Sequence, residues 1–139
     1  MSQEFSIYTD GGSRGNPGKA ASAAVIYDAA GKMRFICGKY LGVATNNIAE
    51  YTAVEIALER LRSELEDEAK NTQLRFFTDS NLVASQLSGK FKVKNPEIAK
   101  KVIQIRNQEK NFQIVSYQHI PREKNFAADR EVNRILDQN

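Results

Sequence analysis

This sequence predicts a mixed α/β fold, a five-stranded sheet flanked by helices, on three observations. Three stretches of strand-like character come first, separated by short turn-rich segments. Apolar residues then recur at helical spacing from Ala49 onward. After that, strand-like and helix-like stretches alternate to the end of the chain. The element order reads β-β-β-α-β-α-α-β-α, with three antiparallel strands followed by two parallel ones.

The first strand is carried by Ser6-Ile7-Tyr8-Thr9-Asp10, which alternates apolar and polar residues. The next eight residues, Gly11-Gly12-Ser13-Arg14-Gly15-Asn16-Pro17-Gly18, contain four glycines and a proline, so this strand is expected to end at Asp10. A carboxylate at a strand's carboxyl end lies where an open α/β sheet places its chemistry, although Asp-Gly is also an ordinary turn signal. Residues 21–27 form the second strand, Asp28-Ala29-Ala30-Gly31-Lys32 a hairpin turn, and residues 33–41 the third strand, making an antiparallel meander. Gly42 to Asn47 break the pattern and supply capping residues. Ala49, Ala53, Ile56, Ala57, Leu61 and Leu65 then define a helix expected to run to about Ala69, with Glu55, Glu59, Arg60, Arg62 and Glu64 on a solvated face.

Residues 73–78 are expected to form the fourth strand, running through Asp79-Ser80 into a helix that stops at Gly89. Asn95 caps the next helix, Pro96 takes its first position, and Ile98, Val102, Ile103 and Ile105 are expected inward. Residues 112–119 form the fifth strand, which Pro121 ends. Asn125 is expected to cap a last helix whose Ala128, Val132, Ile135 and Leu136 face inward, with Glu131 intruding on that apolar stripe.

The 139 residues suit a single domain, 1–139, with a substantial core. No apolar run approaches the roughly 20 residues of a membrane span, and Met1-Ser2-Gln3-Glu4 lacks the character of a signal peptide, so a soluble cytoplasmic protein with no membrane contact is expected. The lone Cys37 excludes an internal disulfide and a zinc-cysteine cluster and reads as a small core hydrophobe. A net charge of +3 and a pI near 9.0 are only mildly basic. Gathering acids around metal ions would leave the remaining surface more basic and better suited to a polyanion.

Topology delivers those acids. In a meander the third strand runs parallel to the first, so Glu50, early in the following helix, lies at the same sheet edge as Asp10. Right-handed crossovers make strands four and five parallel to strand one, placing Asp79 beside Asp10 and bringing Asp129, in the opening turn of the last helix, to the same edge. Singly, Asp79 can be a helix cap, and Glu50 and Asp129 ordinary acids near helix N-termini. Together they would repel one another and raise their pKa values unless divalent magnesium or manganese neutralised them. Two such ions about 3.5–4 Å apart serve in-line displacement at phosphorus, which points to phosphodiester hydrolysis.

Four blocks carry a resemblance. Residues 8–18 (YTDGGSRGNPG), 45–51 (TNNIAEY), 77–80 (FTDS) and 122–129 (REKNFAAD) resemble, in order and at compatible spacing, the signature blocks of type 1 ribonuclease H. The resemblance implies a ribonuclease H-like fold and an endonuclease that cuts the RNA strand of RNA/DNA hybrids with two Mg²⁺ ions, or Mn²⁺ as substitute, leaving 5′-phosphate and 3′-hydroxyl ends. It implies Asp10, Glu50, Asp79 and Asp129 as the metal-binding carboxylates. His119, ten residues before Asp129, matches a loop histidine that moves protons or assists product release, an aim suited to an imidazole. The segment His119-Ile120-Pro121-Arg122 is poorer in glycine than such loops usually are.

Asn16, Asn46 and Asn47 match residues that read the hybrid's minor groove and sugars, Thr45 a position contacting a DNA-strand phosphate, and Gly11 and Asn81 neighbouring substrate contacts. The basic handle of several relatives is absent, its place taken by Gly89-Lys90-Phe91-Lys92-Val93-Lys94-Asn95, in which Lys90, Lys92 and Lys94 offer a small basic strip or a plain solvated loop. Nothing precedes the first strand, so a separate hybrid-binding domain is also expected to be missing. Both departures imply weaker hybrid affinity and looser substrate choice, with no obligate protein partner. Two other readings share the fold: a DNA nuclease of resolvase type, which leaves the asparagine block without work, and a non-catalytic hybrid-binding module, which has little reason to keep four repelling acids.

Overall fold

In the computed structural model, which describes residues 3–90 and 92–139, the meander is built from β1 (Gln3–Arg14), β2 (Gly18–Asp28) and β3 (Met33–Ala44). Two further strands, β4 (Thr72–Thr78) and β5 (Ile114–His119), complete a sheet of order β3-β2-β1-β4-β5. The β1–β2 and β2–β3 pairs are antiparallel, and β1–β4 and β4–β5 are parallel. The helices are α1 (Asn46–Leu65), α2 (Asn81–Leu87), α3 (Pro96–Glu109) and α4 (Phe126–Asp137), in the order the sequence predicts.

Asp10 does not end β1. The strand runs on to Arg14 because the glycine-rich stretch stays paired with β2, Gly11 opposite Ser22 through Arg14 opposite Lys19, leaving only residues 15–17 to turn. Gly15 takes φ +95, which favours glycine, and a Cβ on Gly18 would lie 2.1 Å from the Arg14 carbonyl oxygen. The parallel ladder with β4, however, stops at Thr9 opposite Thr78. Asp10 is thus mid-strand toward β2 and the first residue beyond pairing toward β4. It stands where the sheet's winding reverses, the position at which such sheets bind ligands.

The period of β1 sends Phe5 and Ile7 to one face, where with Ala24, Ile26, Leu74 and Phe76 they pack under Tyr51, Val54, Leu58 and Leu61 of α1 and Ile98 and Ile105 of α3. Each buried Phe, Ile, Leu or Val among them contributes roughly 1.5–3 kcal/mol by leaving water. On the opposite face α4 lays Val132, Ile135 and Leu136 on Ala21 and Ala23. Alanines and Gly38 let that helix come close: a Cβ on Gly38 would sit 2.6 Å from Ile135 Cδ1. Glu131, unexplained by the sequence, lies beside Gly38 and is paired with Arg134 one turn on. Cys37 is buried in the core, as expected.

Four element-level expectations are corrected. The first helix ends at Leu65 rather than near Ala69, and residues 66–71 tighten into a 3-10 segment beginning at Glu66, φ 50. The acids Glu66, Asp67 and Glu68 fall where an α-helix's C-terminal dipole disfavours negative charge. Glu55 is no solvated residue: its carboxylate accepts from Lys101 Nζ at 2.8 Å, joining α1 to α3. Ile103 is 61% exposed, because the buried stripe of α3 follows Ile98 and Ile105 and Ile103 lies off it. The fifth strand starts at Ile114, with Phe112 buried in the preceding turn.

Candidate active site

The site is assembled on one glycine. A Cβ at Gly11 would lie 2.2 Å from the Ala49 carbonyl carbon and 2.4 Å from the Glu50 nitrogen, so only glycine lets the first turns of α1 rest directly on β1. Gly11 N–H donates to Glu50 Oε1 at 2.6 Å, and from β2 the Ser22 hydroxyl donates to the Ala49 carbonyl at 2.6 Å. The helix start is stapled further by Thr45, whose Oγ1 accepts from Ile48 N–H at 3.2 Å as N-cap. Asn46 Oδ1 accepts from Ser13 N–H at 2.8 Å, and Asn16 Oδ1 accepts from Asn46 N–H at 3.0 Å.

This scaffold brings one carboxylate oxygen each of Asp10, Glu50 and Asp79 within 4.8 Å of one another. Asp129, in the first turn of α4, lies outside that trio but lines the same cavity of about 480 Å³, together with Asn46, Asn47, Arg14 and Arg122. Burial, and then the charges of Asp79 and Asp129, push Asp10 up to about 7 against the Gly11 amide, which lowers it. Glu50 is raised to about 9 by burial and by Asp10 and Asp79. An all-oxygen donor set whose ionised form is held at such a disadvantage fits a hard divalent cation, whose charge would reverse it.

The other sequence-predicted residues divide. Asn46 and Asn47 line the acidic cavity, and Asn47 also lines an adjacent cavity of about 450 Å³ with Asn16, Thr45, Lys92 and Lys94. Gly11 lines the acidic cavity but acts first as backbone scaffold. Asn81, exposed at the start of α2, and His119, exposed at the end of β5, line neither cavity. His119 is nonetheless opposite Thr78, the residue before Asp79.

Asn125 stands at the N-cap of α4, as the sequence predicts, but its side chain makes no capping bond to the helix. Its Nδ2 instead donates to the Thr9 carbonyl at 2.8 Å and to Asp79 Oδ2 at 3.4 Å. Sequence reasoning missed this role, and those of Ser13 and Ser22, because their partners are distant in the chain. The polarity of Ser22 within an otherwise apolar strand was the available signal.

A mixed five-stranded sheet with an acidic cluster at its switch point defines the ribonuclease H-like class of α/β folds. The profile of a family described as reverse transcriptase-like matches residues 8–135. The chain is 38% identical over 130 residues to the ribonuclease HI of Halobacterium salinarum, covering 94% of this chain and 63% of that protein. It superposes with a TM-score of 0.90 on the N-terminal RNase H domain of rv2228c from Mycobacterium tuberculosis, at 36% identity over 99% of this chain and 96% of that one. With LC11-RNase H1, solved in complex with an RNA/DNA hybrid, the TM-score is 0.91 at 38% identity, covering 96% and 97% of the two chains. The chain belongs to the type 1 ribonuclease H family. It spans 35% of the length of the mycobacterial curated relatives it matches. Among the described residues no helix is long and apolar enough to cross a membrane.

Proposed function

We propose that residues 1–139 act as one catalytic domain that hydrolyses the RNA strand of RNA/DNA hybrids endonucleolytically, leaving 5′-phosphate and 3′-hydroxyl ends. The observation that carries this reading is the convergence of Asp10, Glu50 and Asp79 within 4.8 Å, with Asp129 on the same cavity and an asparagine-bearing rim. Family membership and the hybrid bound by LC11-RNase H1 support the substrate class.

In this reading the four carboxylates hold two Mg²⁺ ions, or Mn²⁺ in their place, which when bound supply charge neutralisation and an activated water at the scissile phosphate. Asp10 and Glu50 would gain most from a compensating cation, since burial disfavours their ionised forms. The oxygen side of Asn16 and Asn46 is spent internally, which leaves their Nδ2 groups as donors to base edges and 2′-hydroxyls in the minor groove. Asn47, Gly11 and Asn81 extend that surface. Thr45 and the adjacent cavity with Lys92 and Lys94 receive DNA-strand phosphates. His119, exposed at the end of β5, moves a proton at the leaving group or hastens product release.

The deciding experiment presents one 5′-labelled RNA alone, paired with DNA and paired with RNA, with Mg²⁺ or EDTA, to wild type and Asp10→Asn. Metal-dependent cutting confined mainly to the hybrid and lost in the variant is the expected result. Cutting of DNA duplexes instead would establish the resolvase-type reading, and tight hybrid binding with no cutting under any metal would establish a binding module.

A further inference from the structure

We propose that Asn125 is a positioning residue that holds three of the four acid-bearing segments in register across the gap where β1 and β4 part. This rests on the functional reading above. Parallel pairing ends at Thr9 opposite Thr78, so the two chains diverge immediately before Asp10 and Asp79. No backbone ladder joins them at the point where the carboxylates must meet. Asn125 enters there from the start of α4.

One nitrogen serves both strands: Nδ2 donates to the Thr9 carbonyl at 2.8 Å and to Asp79 Oδ2 at 3.4 Å. Asn125 itself opens the segment that carries the third acid, its carbonyl accepting from Asp129 N–H at 3.2 Å in the first backbone bond of α4. A single residue thus bonds to the neighbour of Asp10, to the side chain of Asp79 and to the backbone of Asp129.

The energetics favour a role beyond packing. Asn125 is 1% exposed, yet its Oδ1 is buried with no hydrogen-bond partner among the described residues. Buried polar atoms are nearly always paired, and leaving one unpaired is unfavourable. An apolar side chain of the same size would avoid that penalty but would leave the Thr9 carbonyl and Asp79 without their donor. What an apolar residue cannot supply is the N–H fork between Thr9 and Asp79. Partners that orient metal-ligating carboxylates typically change metal affinity or activity 10–100-fold when removed.

The test compares Asn125→Ala and the near-isosteric Asn125→Asp, which keeps the volume but turns the donor into an acceptor, with Leu87→Ala, a core truncation in α2 that lowers stability without touching the site. Two quantities are read well below each melting temperature: Mn²⁺ affinity by calorimetric titration, and kcat and KM on a hybrid. Asn125→Ala is expected to bind Mn²⁺ at least tenfold more weakly, and both Asn125 variants to lose at least tenfold in kcat with KM within about twofold of wild type. Leu87→Ala should match wild type in both. If alanine or aspartate prevents folding, Asn125→Ser, whose hydroxyl fits the same space, is read by the same two measures against the same expectation. Wild-type Mn²⁺ affinity and kcat in the folded Asn125 variants would overturn the positioning role while leaving the functional reading intact. A wild-type chain that neither binds Mn²⁺ nor cuts would overturn both.

Discussion

At the scale of single residues, Asp10 and Glu50 set the balance between stability and chemistry. Both are raised above their ordinary range, first by burial and then by neighbouring carboxylates, Asp79 and Asp129 for Asp10 and Asp10 and Asp79 for Glu50, to about 7 and about 9. A carboxyl whose folded pKa exceeds its unfolded value binds its proton more tightly in the native state, so its stabilising effect is complete below about pH 4 and is lost as pH rises through the folded value. The metal-free protein is therefore expected to melt higher near pH 5.5 than near pH 8.5, and Mg²⁺ should raise the melting temperature more at the higher pH. Thermal melts with EDTA and with Mg²⁺ at the two pH values check this; a metal-free protein more stable at pH 8.5 would contradict it. Asp10→Asn removes one repelling charge, so it should raise the metal-free melting temperature by a few degrees, about 1–2 kcal/mol, while abolishing the Mg²⁺ increment. Gly11→Ala must move the α1 backbone, since the added Cβ meets the Ala49 carbonyl carbon at 2.2 Å. Destabilisation of about 3 kcal/mol or more in urea melts is expected, with loss of cutting in whatever fraction folds.

At the scale of elements, order and direction were legible because they rest on local signals: alternation in β1, the turn residues after β2, Asn95-Pro96 opening α3. Strand direction followed from the meander and the right-handed crossovers together, and with it the meeting of Asp10 and Asp79 at one sheet edge. Ends were less legible. Four glycines in eight residues are a turn signal by composition, yet Gly11 and Gly12 are strand residues, and the side chain that Gly11 lacks makes room for α1 rather than for a turn. Asn125 misled for a related reason: its position beside a helix start suggested a cap, whereas its partners, Thr9 and Asp79, are distant in sequence. Thr45 shows both levels in one side chain, an N-cap for α1 and part of the wall beside Lys92 and Lys94. Thr45→Ala should therefore lower stability by about 1 kcal/mol through the lost cap. Thr45→Ser, which keeps the oxygen, should restore it; a serine variant no more stable than alanine would show that the cap is not what the threonine contributes.

At the scale of the whole molecule, a net charge of +3 is small for the hybrid binding proposed above, and the acids that depress it are partly concentrated in one cavity. The affinity must then come from few cations, placed well. Lys92 and Lys94 line the cavity that also holds Thr45, Asn16 and Asn47, and the segment joining α2 to α3 is only residues 88–95. Each lysine that neutralises a phosphate releases a counterion and steepens the dependence of log K on log salt by about 0.9. Hybrid binding by Asp10→Asn, which is expected to hold substrate without cutting it, should therefore weaken steeply between about 50 and 200 mM salt. Adding Lys92→Ala and Lys94→Ala should flatten the slope by about 2 and weaken hybrids of different sequence alike, because phosphate contacts carry no sequence information. Fluorescence anisotropy on two hybrids of unrelated sequence reads both effects. An unchanged slope would remove these lysines from the duplex and leave the groove to the asparagine rim, while a loss confined to one sequence would make them base readers instead.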